Sequence, residues 1–87
     1  MTLEAALEQC TDPKKPIGNR VGDKQVLIHF IPEQNCYSLQ ENRLWAVEPS
    51  RLIGACLTKE EVVVRIADVS FASELDSDRW IVDIDKW

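Results

Sequence analysis

Apolar positions in this chain gather into short runs separated by polar punctuation, and the longest run is residues 62–71, V-V-V-R-I-A-D-V-S-F. Read as a strand, it carries Val62, Val64 and Ile66 on one face and Val63, Ala67, Val69 and Phe71 on the other, with Arg65 the one interruption. Its β-branched residues are stiff at the first side-chain torsion and suit a pleated surface. The alternative is a helix entered at Thr58. Thr58 and Glu61 have the S/T-x-x-E spacing of a capping box, and Glu61, Arg65 and Asp68 would share a polar side.

The rest of the pattern favours strands. Residues 25–31, Q-V-L-I-H-F-I, are almost wholly apolar, as a central strand covered on both faces would be, and Pro32 stops them. Turn signals follow at 33–35, 40–42, 48–51 and 58–61, with short apolar segments at 36–39, 44–47 and 52–57 between them. That regular spacing predicts an antiparallel meander. Gly54, inside a strand, marks a bulge or a close backbone approach. The competing reading makes residues 49–71 helical, beginning with Pro49 at a first helical position.

At the N-terminus, Leu3, Ala6, Leu7 and Cys10 form one helical stripe behind Thr2, a capping residue. Residues 11–24, with Pro13, Pro16, Gly18 and Gly22, read as a basic loop. Residues 72–79 are a polar connection. Residues 80–85, W-I-V-D-I-D, alternate cleanly and read as a last strand paired with 62–71. The expectation is one small α+β domain over residues 1–87: a short N-terminal helix with a mostly antiparallel β-meander sheet of five or six strands.

Composition adds three constraints. The 87 residues allow a single core with modest stability. No apolar run reaches bilayer length, and no basic-then-apolar leader opens the chain. With an odd number of cysteines (Cys10, Cys36, Cys56), taken as buried reduced thiols, this points to a cytoplasmic setting. The net charge of −5 is uneven: zero over residues 1–24, −2 over 25–73 and −3 over 74–87. An acidic chain repels phosphate backbones, so direct nucleic-acid contact is not expected, and with apolar runs this short neither is a membrane.

No motif stands above chance. Glycines 18 and 22 lack the helix and lysine of a phosphate loop. His29 reads as a structural histidine; pairing it with Cys36 or Cys56 as a nucleophile has no signature behind it. The Cys and His spacings are too long for a zinc site, and Asp76-x-Asp78 lacks the following ligand and glycine of a calcium loop. The expectation is therefore a non-enzyme without cofactor or metal: a non-catalytic acidic protein-binding module. The type is a stoichiometric inhibitor of a basic partner, as immunity or anti-defence proteins are. Its contact residues would be Glu74, Asp76, Asp78, Trp80, Asp83, Asp85 and Trp87, tryptophan being a frequent interface anchor. The alternative is a small structural or regulatory subunit of a larger protein assembly.

Overall fold

The computed structural model of the chain describes residues 1–43, 50–82 and 84. Helix α1 (Leu3–Gln9) is followed by strands β1 (Ile17–Val21), β2 (Lys24–Ile31), β3 (Cys36–Arg43) and β4 (Ser50–Leu57). Helix α2 (Lys59–Arg65) comes next, then 3-10 turns at Ile66–Asp68 and Ala72–Glu74. The strands lie in chain order β1-β2-β3-β4, each antiparallel to the next, so the α+β meander expected from the sequence is present with four described strands.

Helix α1 forms as its pattern predicts. The Thr2 hydroxyl accepts the Ala5 amide, and Leu3, Ala6 and Leu7 are buried against the sheet. Seven residues are too few to hold a helix alone, so that burial is what keeps it folded.

The basic loop expected over 11–24 is half strand. Ile17, Asn19 and Val21 alternate inward, and Gly22 at φ +60 opens a two-residue turn into β2, the position where a II′ hairpin needs left-handed backbone. The Gly-Asp pair was the available hairpin signal. The turn expected at 40–42 is likewise overturned, because β3 runs unbroken through it. Segment 44–47 lies outside the described residues. Gly54 does sit at an irregularity: it pairs with Leu39 between two register shifts, and a Cβ there would stand 2.5 Å from Leu57 Cδ1.

Residues 62–71 are not a strand. The capping box closes in both directions, Glu61 N to Thr58 Oγ1 and Thr58 N to Glu61 Oε1, both at 3.1 Å. A cap contributes about 1 kcal/mol and each β-branched residue costs a few tenths in a helix, so the local preferences roughly cancel and packing decides. Val62, Ile66 and Val69 then face the core at helical spacing, while Val64 is 72% exposed. Residues 50–57 are the reverse case, since β4 removes the helical alternative over that stretch. Among the described residues the last strand and its hairpin with 62–71 are also absent. Ile81 makes an isolated bridge to Gly18 on the β1 edge, and the Met1 ammonium donates to the carbonyls of Asp78 and Trp80.

The register separates two faces. Ile17, Val26, Ile28, Tyr37, Leu39, Ile53 and Leu57 join α1, α2, Phe71 and Trp80 in one core. The opposite face presents the rows Gly18–Leu27–Gln40–Leu52 and Arg20–Gln25–Asn42–Ser50, then His29–Ser38 and Ile31–Cys36. Strand β2 is thus central; Val26 and Ile28 are buried on the core face and Leu27 on the other, where Gln25, His29 and Ile31 are half-buried, so the two-sided burial expected of it holds at its centre. On the open side Cys36 is bonded to Cys56, with Cα atoms 5.3 Å apart, so two of the three thiols expected to be free are paired. No described helix is long and apolar enough to cross a membrane.

Candidate functional site

The helical side of the molecule is acidic. Glu4 and Glu8 on α1, Glu60 and Glu61 on α2, and Glu74, Asp76 and Asp78 after it are all exposed. Of the acids proposed as contacts, Glu74 pairs with Lys24 at 3.1 Å and Asp76 with Arg79 at 3.2 Å. Asp76 also accepts the Asp78 amide, which fixes the turn. Asp83, Asp85 and Trp87 lie outside the described residues. Trp80 is 3% exposed and belongs to the core, so it supports the surface from beneath and does not itself reach a partner.

Above Trp80 a groove of about 320 Å³ opens between α1, α2 and the turns that follow, lined by Leu3, Glu4, Val63, Ile66, Ala72 and Leu75. It is mainly apolar, with a carboxylate on its wall and further carboxylates on each bordering element. Val63, at its margin, is 38% exposed. Sequence reasoning missed this groove because it exists only once residues 62–69 coil as a helix. A hollow of about 650 Å³ beside the basic loop, lined by residues including Gln9, Lys14, Lys15 and Val82, is mostly polar.

A second cluster ties the chain after α2 to the sheet. Glu41 lies on the core face of β3, only 3% exposed, and receives hydrogen bonds from Arg51, the Ser70 hydroxyl and the Ser70 amide. Arg43 donates to Ser70 Oγ at 2.7 Å, Arg51 to the Asp68 carbonyl at 2.7 Å, and Arg65 to the Ile53 carbonyl at 2.6 Å. Burial pushes the Glu41 carboxyl up, but the bonds from Ser70 and Arg51 and the Arg51 charge outweigh it and hold the pKa below the usual value. Those hydrogen bonds join the carboxylate, the serine and the arginines into one network. The cluster positions a backbone segment.

That assignment has a pH signature. The folded carboxyl binds its proton less tightly than the unfolded one, so the unfolded state takes up protons first as pH falls. The contribution of Glu41 is complete above about pH 5 and is lost as pH drops through the depressed folded value. Glu41→Gln is expected to cost about 2 kcal/mol near neutrality, the scale of hydrogen bonds to a charged group. In urea titrations from pH 7 to 3, the gap between wild type and variant should close toward the acid end. A gap independent of pH would remove Glu41 from the acid response.

His29 stands on the open sheet face beside Ser38, where burial lowers its pKa. Cys36 and Cys56 are bonded to each other, and Cys10 is buried on the other side of the sheet, its Sγ donating to the Ile28 carbonyl. Among the described residues the Cys–His pairing therefore has no thiol to use, and no group of His, Cys, Asp or Glu is placed to hold a metal ion. Set beside protein-family models, curated proteins and solved structures, the chain finds no match, so its function must be argued from this geometry.

Proposed function

We propose that the chain is a non-catalytic protein-binding module, a stoichiometric inhibitor of a basic partner, and that it binds through its helical side. The observation that carries this is the apolar groove between α1 and α2 set in an acidic surface. Such a site has the two parts an interface needs. The carboxylates accelerate encounter with a cationic surface and penalise acidic competitors. The groove over Trp80 accepts an apolar side chain, where desolvation gives affinity that surface charge alone does not. The sequence extends the contact to Asp83, Asp85 and Trp87. A cytoplasmic location goes with this proposal; the Cys36–Cys56 bond, of a kind that persists in oxidising compartments, pulls the other way. The thiol state of protein taken from cells decides between them.

The test compares wild type with Glu4→Lys/Glu74→Lys/Asp78→Lys as baits in host lysate, eluting with stepwise salt. A basic protein should be held by wild type and released at moderate salt. Purified, it should bind the triple variant at least tenfold more weakly, a loss of about 1.4 kcal/mol or more. A partner bound equally by both baits would sink the reading. The subunit alternative retains one supporting observation, the open sheet face, and predicts binding that survives high salt.

A further inference from the structure

We propose that the open face of the sheet is the contact between two copies of this chain. Charge is the first argument. The chain carries 15 acidic residues and a net charge of −5, yet among the described residues no acid falls in the cross-strand rows of that face. Two copies meeting by their helical sides would set carboxylates against carboxylates. Meeting by their sheets, they bring no like-charged acids together. The one formal charge in the rows, Arg20, sits on edge strand β1, where its Nε donates to the Gly22 carbonyl at 2.9 Å.

Chemistry is the second argument. An isologous contact places each residue type against the same set on the partner, so its polar groups must be self-complementary. Side-chain amides meet that condition because each both donates and accepts, and Gln25, Gln40 and Asn42 are all half-buried on this face. An ammonium or a carboxylate cannot pair with its own copy. Between the amides lies an apolar row, Leu27 beneath the surface and Leu52 at 59% exposure, the highest of any large hydrophobic residue in strands β1–β4.

Area is the third. Four strands about 4.8 Å apart and roughly 3.3 Å per residue make a face of about 500 Å². Two such faces bury on the order of 1,000 Å², the lower bound of specific interfaces, so the dimer should be reversible and concentration-dependent. The sheets would stack about 10 Å apart, as in a sandwich.

Sedimentation equilibrium of the purified chain between about 1 μM and 1 mM tests this, a range that spans weak to moderate affinities. The expected result is a monomer–dimer equilibrium within that range that tightens as salt screens the residual −5 repulsion. Leu52→Glu and, separately, Gln40→Glu put a carboxylate of each copy into the contact and should each weaken the dimer tenfold or more while the circular dichroism spectrum is unchanged. Glu4→Lys, on the helical side, should not weaken it, which separates this interface from the partner site. A monomer up to about 1 mM, or a dimer equally tight in both sheet variants, overturns the proposal.

Discussion

Trp80→Ala is expected to unfold or nearly unfold the domain. The indole is 3% exposed and packs in the single core beneath the groove, with the Trp80 amide donating to the Met1 carbonyl at 3.0 Å. Truncating a buried tryptophan costs about 3–5 kcal/mol, through lost transfer energy and the cavity left behind. A chain of 87 residues has a total stability of roughly 4–13 kcal/mol, so the loss is a large share of it. The expected drop in Tm is roughly 12–40 °C, followed by circular dichroism because tryptophan fluorescence would mix in Trp45 and Trp87. Trp80→Phe should recover most of the loss. A Tm within a few degrees of wild type for Trp80→Ala would mean the indole is not a core element. Any loss of partner binding by Trp80→Ala must therefore be judged against its folded fraction, which is why the groove is tested with Glu4, Glu74 and Asp78.

The alternation over residues 80–85 sets Trp80 and Val82 on one apolar face, and Trp80 is buried, yet alternation reports burial of one face without saying against what. The same limit explains the other differences. The N-terminal helix and β2 were legible because cap, stripe and apolar run each point to one structure locally. The stretch 62–71 was not, because a reciprocal cap at Thr58 and Glu61 competed with five β-branched residues, and the arbiter is tertiary: Val62, Ile66 and Val69 share a core beneath α1. Glu41 hides between Gln40 and Asn42 and reads as a turn. Its burial is tolerable only with Arg51 from the neighbouring strand and Ser70 from beyond α2, partners the linear sequence does not identify. The sheet face whose described rows carry no acid is illegible for a related reason. Its residues alternate with core residues, and only the register gathers them onto one side.

Reducing the Cys36–Cys56 bond should lower stability by about 3 kcal/mol without dissolving the sheet, the entropy a loop of roughly 20 residues regains when its ends are released. The separation of 20 positions encloses the passage from β3 to β4, while the ladder on both sides of the bond remains hydrogen-bonded. The expected fall in Tm is roughly 12–24 °C for a domain of this size. Cys56 is exposed, so reductant reaches the bond in the folded state. Cys36→Ser/Cys56→Ser should match reduced wild type and be indifferent to reductant; an unchanged wild-type Tm on reduction would deny the bond a role in stability. Cys10 should not rescue the reduced protein by exchange. Burial raises its pKa despite opposing backbone hydrogen bonds, and the thiolate is the attacking form. It also lies on the core side of the sheet, away from the bond. Alkylation should therefore label Cys56 promptly after reduction and Cys10 at the rate of unfolding. Because the bond lies on the face assigned to the second copy, dimer strength and redox state should change together, whereas partner binding on the helical side should follow only the folded fraction.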